Sequence, residues 1–257
     1  MVSDFANNVD IYSKFASAVY GRMVDRKRVE IVDGKETYPD KLEGHVGKTC
    51  ILGLGYGMGK DKFKLTLKSG NPSVDIELSE AERIVGLYRT TYPMISRLWK
   101  DGDGALLSMS KGVEYEFGEG IQLKCNSDGV HLPNGMTIRY PNLRREEKGF
   151  AYDARFGVTK LFGAKMVENV VQALARIVVF NQMAKIDQYL RKLDKRQGER
   201  YRVALTVHDE VVCVVPEHAG EAVKQHMLEV MSVAPKWATG LPVSCEADIG
   251  RTYGDCK

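Results

Sequence analysis

The stretch whose reading decides the fold is RVALTVHDEVVCVV, residues 202–215. Valine and leucine dominate it, as suits a strand with at least one face in a core. His208, Asp209 and Glu210 interrupt the run. Two adjacent carboxylates inside a core strand would be costly unless each were paired. The difficulty disappears if the run folds back on itself. RVALT and VVCVV then become the arms of an antiparallel hairpin, and the polar triplet forms its tip, outside the core. Neighbouring carboxylates on rigid arms suit Mg²⁺, which takes oxygen ligands and keeps several waters. An ordinary strand-to-strand turn with surface acids satisfies the same pattern. His-Asp is also a fragment of a serine-type triad, but the chain contains no G-x-S-x-G elbow to supply the nucleophile.

Outward from the hairpin, helical spacing runs from Lys160 to about Lys195 on one side, and an amphipathic helix is expected over 219–233 on the other. Residues 101–145 carry many glycines and short alternating runs such as IQLKC and MTIRY, which predict strands and turns. Ser79-Glu80-Ala81-Glu82 fits a capping box and predicts a helix through about Lys100. KRVEIVDGKETYPD predicts a strand pair turning at Asp33-Gly34. Residues 10–22 have helical spacing, with Ile11, Phe15, Ala18 and Val19 on one face and Gly21 as the stop. Helices, then strands, a helix, a hairpin and a helix predict an α+β fold, mainly helical first and antiparallel afterwards.

Composition narrows the function classes. The 257 residues, 44% of them apolar, suffice for one large domain or two small ones. A net charge of +3 is mildly basic and compatible with nucleic acid. Five cysteines (50, 125, 213, 245 and 256) are odd in number and lack C-x-x-C spacing. They read as reduced thiols of a cytoplasmic protein rather than a disulfide or zinc framework. MVSDFANNVD has neither the basic nor the apolar region of a secretory signal. No apolar run approaches the roughly 18 residues of a membrane span, so no membrane partner is expected.

A second chemistry-bearing stretch is GKTCILGLGYGMG, residues 47–59. A Walker A loop would need glycine at position 42, where Leu42 stands, so a phosphate-loop hydrolase fits poorly. The dinucleotide fingerprint fails too, because the spacing from Gly53 to Gly59 is G-x-G-x-G-x-G. Placed on a helix, Lys48, Leu52 and Tyr56 fall at i, i+4 and i+8 on one face. That face offers an ammonium for phosphate, an apolar surface and a ring. Gly53 and Gly57 would let another surface approach closely. A glycine-rich loop with a solvated Lys48 meets the pattern equally.

Six blocks taken together carry a family resemblance. They are K48-T-C-I-L-G-L-G-Y-G-M-G, Y92-P-M-I-S-R-L-W, L132-P-N-G-M-T-I-R-Y-P-N, E168-N-V-V-Q-A-L-A-R, V207-H-D-E-V-V and A247-D-I-G-R-T-Y-G-D. In this order, and over almost all of the chain, they resemble the family A (DNA polymerase I-like) DNA polymerases, those of bacteriophages most closely. The resemblance implies nucleotidyl transfer to a primer 3′-hydroxyl in DNA replication, with primer-template DNA and dNTPs as partners and two Mg²⁺ ions as cofactors. It implies fingers over 1–110 and the second part of the palm over 111–257. Lys48 would bind the incoming triphosphate, Leu52 would border its sugar, and Tyr56 would stand near the templating base. Asp209 would be a metal ligand, Glu210 a supporting carboxylate, His208 a contact to the primer end and Gln172 a minor-groove contact.

Three departures from the family pattern stand out. Gly44, beside His45, occupies a position where the family usually has arginine. Leu52 stands where most members have Phe or Tyr, which implies altered sugar discrimination. The block resembling D-[FY]-S-Q-I-E, which brings the other metal aspartate, is missing; Asp4-Phe5-Ala6-Asn7 is too short for it. Thumb and exonuclease are missing as well. The expectation is therefore a split or truncated polymerase, inactive until an N-terminal fragment supplies thumb, exonuclease and first palm motif in the host cytoplasm. The rival is a non-catalytic DNA-binding remnant. Residues 139–165 would serve it, with seven basic residues (Arg139, Arg144, Arg145, Lys148, Arg155, Lys160, Lys165) against three acidic ones.

Overall fold

A computed structural model describes every residue except Glu119, Gln122 and Lys257. The chain opens on α1 (Val2–Ala6) and α2 (Ile11–Tyr20). The Asp10 carboxylate accepts from the Tyr12 N–H at 3.2 Å and starts α2; Gly21, at φ 64°, ends it. Ile11, Phe15 and Val19 are buried as expected, but Ala18 is exposed, and Ser13 and Ala16 are buried instead. A following helix turns the buried face. Its Gly47 lies against Tyr12 and Ala16, so closely that a Cβ there would come within 2.8 Å of the Ala16 Cβ.

The hairpin β1 (Glu30–Val32) and β2 (Lys35–Thr37) closes at Asp33-Gly34. Both turn residues have positive φ, 52° and 74°, as a two-residue turn between twisted strands requires. Helix α3 (Lys41–Thr49) runs directly into a π-helical segment, Cys50–Leu54. Then come α4 (Lys60–Ser69), α5 (Leu78–Thr91) and α6 (Pro93–Ser110). The capping box does not form: Glu77 is the residue that precedes α5, and Ser79 is already inside the helix. Val74 and Ile76 dock on the core just upstream and fix the chain's entry earlier. Nor does one helix reach Lys100. Pro93 lacks an N–H and its ring clashes with the preceding turn, so α5 stops at Thr91 and α6 restarts with Pro93 as its first residue. The core among these helices holds Phe15, Val46, Cys50, Leu54, Phe63, Leu67, Ile84 and Tyr88.

Because α6 continues to Ser110, the predicted strands begin later than 101. β3 (Tyr115–Phe117), β4 (Leu123–Asn126), β5 (Gly129–His131) and β6 (Thr137–Ile138) form a four-stranded antiparallel sheet in chain order. Within the predicted IQLKC strand, Gln122 lies outside the described residues. A three-stranded antiparallel sheet follows: β7 (Arg144–Arg145), β8 (Phe150–Ala154) and β9 (Gly157–Leu161). Strand β9 claims Lys160, so the long helix α7 (Gly163–Gln197) starts three residues later than periodicity predicts. Its origin is pinned by the Gly163 N–H, which donates to Asp103 Oδ1 at 2.6 Å. Any Cβ on Gly163 would lie 2.0 Å from the Trp99 carbonyl oxygen. The predicted hairpin forms as β10 (Arg202–Val207) and β11 (Glu210–Val214), followed by α8 (Gly220–Met231).

The fold is α+β, and its contacts divide it into two compact units. The first is residues 1–131 with 137–169; the second is 132–136 with 170–257. Residues 111–131 and 137–169, expected with the later subdomain, thus pack with the first unit. The second unit has its own core of Ile186, Leu190, Tyr201, Val211, Ala219 and Val223.

Candidate functional site

In the first unit, Lys48 sits in the last turn of α3 and points to solvent, between the buried Val46 and Cys50. Among the described residues no carboxylate lies within ion-pair distance of it. One turn earlier, His45 is half-buried and its Nε2 has no hydrogen-bond partner. Burial, and then the charge of Lys48, hold the His45 pKa below its usual value. Leu52 lies in the π-helical segment and is 50% exposed. Tyr56 lies beyond it in a turn, half-buried, its N–H donating to the Gly53 carbonyl at 3.2 Å.

The i, i+4, i+8 face is therefore corrected. A π-helix takes more residues per turn, so Lys48, Leu52 and Tyr56 follow one another along the segment without sharing one α-helical stripe. The Trp99 indole N–H donates to the Gly55 carbonyl at 3.2 Å and secures the end of this segment. Gly57, at φ 77°, allows the close approach its residue type suggested: a Cβ there would come within 2.6 Å of the Ala164 Cβ.

Two of the sequence departures have a packing account. A Cβ on Gly44 would fall 2.3 Å from the Arg26 Cβ, so no arginine fits at position 44 in this packing. Arg26 itself donates to Asp10 at 2.6 Å and lies over the Tyr12 ring. Asp4 is helical, in α1, and bound to Lys14 at 2.6 Å, which is no place for a palm-strand metal ligand. Nothing in the structure explains the choice of leucine at 52.

In the second unit, the β10–β11 register pairs Val207 with Glu210 and leaves His208-Asp209 as a two-residue turn. Glu210 thus begins β11 instead of sharing the tip. His208 has φ 53°, a left-handed conformation uncommon for a residue with a side chain. All three polar side chains are exposed. The carboxylate of Glu210 accepts a hydrogen bond from the Tyr253 hydroxyl, in the last helical turn, Tyr253–Cys256. Tyr253 belongs to the closing motif, but sequence reading gave it no role; a contact across more than 40 positions has no local signal. Behind the tip, burial pushes the Cys213 thiol up to about 11, so it stays protonated. Gln172 is exposed on α7.

The structure brings His208, Asp209 and Glu210 together, and separately orders Lys48, Leu52 and Tyr56 along one segment. The two groups belong to different compact units. Among the described residues, no group of three or more His, Cys, Asp or Glu side chains could hold a metal ion. Mg²⁺ is commonly held by one or two carboxylates, with waters and substrate phosphates completing its octahedron, and Asp209 and Glu210 are the carboxylates the hairpin offers. No described helix is long and apolar enough to cross a membrane.

The family described as DNA polymerase family A matches residues 1–255. A DNA polymerase of Bacillus phage SP02 is 26% identical over 221 residues, covering 80% of this chain and 32% of that protein. Among solved structures, the polymerase domain of Pol1 from M. smegmatis, in complex with DNA primer-template and dNTP, superposes with a TM-score of 0.59 at 20% identity. That superposition covers 95% of this chain and 34% of the other. The chain therefore spans about a third of the length of the relatives it matches.

Proposed function

Since the chain belongs to DNA polymerase family A, we propose that it is the fingers and later palm portion of a DNA-directed DNA polymerase. In this reading residues 1–110 serve as fingers and 111–257 as the second part of the palm. The observation that carries it is the hairpin: an antiparallel pair whose two-residue turn holds Asp209 in solvent beside His208 and Glu210.

Each side chain has a task that its surroundings support. Lys48, charged, exposed and without a carboxylate partner among the described residues, would meet the triphosphate of the incoming nucleotide. Leu52 would offer an aliphatic surface to the sugar, and Tyr56 a ring beside the templating base. Asp209 would contribute one metal ligand, Glu210 would support it from the first position of β11, and His208 would reach the primer end. Gln172 would contact the duplex in the minor groove. Positioning and electrostatics supply most of the acceleration in phosphoryl transfer, so a site with part of its ligand set turns over poorly.

The remaining ligands would come from palm residues outside these 257, on the same polypeptide or on a partner that also brings thumb and exonuclease. Half-exposed apolar residues on a two-stranded sheet support such a cover: Leu205 is 44% and Val214 47% exposed. A second reading, a DNA-binding remnant without turnover, is favoured by the incomplete carboxylate set. Primer extension in Mg²⁺ separates them. Extension should require the rest of the palm, supplied on one polypeptide or in trans, and Asp209→Ala should lower it by about 10²–10³-fold, as removal of a transition-state electrostatic partner does. Extension indifferent to Asp209→Ala would sink the metal-ligand assignment. DNA binding that is steeply salt-dependent, with no extension in any combination, would favour the remnant.

A further inference from the structure

Phe156 is 94% exposed, more than any other large apolar side chain in the described chain. It occupies a specific place. Ala154 pairs with Gly157, so Arg155 and Phe156 form the two-residue tip of the β8–β9 hairpin, and Gly157, the first residue of β9, has a positive φ of 128°. Short strands hold the tip, and the base is anchored. Tyr152 of β8 packs edge-on against Tyr140 at 5.1 Å, and burial pushes the Tyr140 hydroxyl up to about 12 while Asn169 donates to it at 3.2 Å. The ring is thus held clear of the core at the end of an anchored hairpin.

The tip carries one cation, and the sheet behind it carries others. The Arg155 guanidinium lies over the Phe156 ring, 5.3 Å from its centre. The one acid in the hairpin, Asp153, is neutralised by Arg144 at 3.0 Å. Among the described residues, Arg145, Lys148, Arg155 and Lys160 have no carboxylate at ion-pair distance. An exposed ring with one guanidinium at the tip and further cations toward the base of the sheet, Lys160 opposite Ala151 and Arg145 opposite Phe150, fits a nucleobase on a phosphate backbone: the ring stacks on the base and the cations take phosphates along the strand. It fits a protein surface less well, because β9 carries Lys160 on its open edge, and edge lysines block strand addition.

The hairpin also lies near the candidate nucleotide segment within the same compact unit. Phe162, just after β9, faces Gly57: a Cβ on Gly57 would come 3.9 Å from its ring. Six residues of extended chain separate Phe162 from Phe156, a reach of at most about 20 Å. That is a few nucleotides of single strand.

We propose that the Arg155–Phe156 tip is a stacking platform for an unpaired base of single-stranded template DNA on its way to the Tyr56 turn. The identity of that strand rests on the polymerase reading above; the stacking itself does not.

The test is a binding titration of the whole chain with three labelled DNAs: oligo(dT) of about ten nucleotides, within the size range of a single-strand site; a duplex with a 5′ template overhang; and the same duplex blunt-ended. Phe156→Ala should weaken oligo(dT) and the overhang duplex by about fivefold or more, the low end of one base–aromatic stack, and leave the blunt duplex unchanged. Phe156→Trp should restore binding. The ring is solvent-exposed, so both variants should melt like the parent. Equal affinity of Phe156→Ala and the parent for oligo(dT) overturns the proposal, as does an equal loss on the blunt duplex. So does a Phe156→Ala variant that changes only self-association in sedimentation, which would make the tip a protein contact. If the parent binds blunt duplex and Phe156→Ala has no effect, the polymerase reading survives and the platform falls. If Phe156→Ala loses oligo(dT) but no combination of chain and palm fragment gives extension, the platform survives and the polymerase reading falls.

Discussion

The two segments that carry the candidate chemistry are built in opposite ways. Lys48 rides on a helix set into a full core: Val46, Cys50 and Leu54 from its own segment meet Phe15, Phe63, Leu67 and Tyr88 from three other helices. Asp209 rides on a hairpin that touches its core mainly through Val211, Tyr201, Val203 and Cys213, with Leu205 and Val214 left half-exposed. Asymmetry of this kind teaches which part is complete. The helical segment satisfies itself. The hairpin is a two-stranded sheet with open edges, and such sheets are marginal until something covers them.

The largest effect should come from the full core. Phe63 is fully buried, and Phe63→Ala should cost about 3–5 kcal/mol in denaturant unfolding of the first unit. A loss below about 1 kcal/mol would mean that this core is looser than its burial indicates. On the hairpin, Leu205→Ala should cost only about 1 kcal/mol in the isolated chain, because nearly half of that residue stays in water on folding. The comparison sharpens if the same variant weakens association with a palm fragment; equal cost at Phe63 and Leu205 would break it.

The smallest effect is a pH dependence at His45. Its folded-state pKa is depressed by burial and then by Lys48. The unfolded chain takes up that proton near 6.5 and the folded chain only at lower pH. Between the two values the unfolded state binds more protons, so stability falls as pH falls through that window; above it His45 is neutral in both states and contributes no slope. Thermal melts at about pH 7.5 and about pH 5.5 should show a larger loss for the parent than for His45→Gln. Identical losses would show that His45 is solvated and that the packing around its Nε2 opens easily.

Legibility followed the range of the interactions. Asp33-Gly34 dictated a turn because the required positive φ values are local properties of those residue types. Gly21 ended α2 for the same reason, and alternating valines around a polar triplet could do little but fold back. Ala18 misled because the face a helix buries depends on its neighbour, here Gly47 of α3. Ser79-x-x-Glu82 misled because a capping box competes with whatever fixes the chain upstream, and Val74 and Ile76 fixed it first. The π-helical turn at Cys50–Leu54 had no sequence signal beyond its one glycine, Gly53, yet it decides how Lys48, Leu52 and Tyr56 are spaced.

By itself, then, the sequence determined the hairpin, its carboxylates, the long helix and the order of the motifs. These rest on backbone sterics, hydrophobic period and residue chemistry, which act over a few positions. Only the tertiary structure decided that Arg26 fills the space beside Gly44, that Tyr253 holds Glu210, and that Phe156 stands in solvent at a cationic tip. Those depend on which distant side chains the packed chain brings within a few ångströms, and no local rule encodes that.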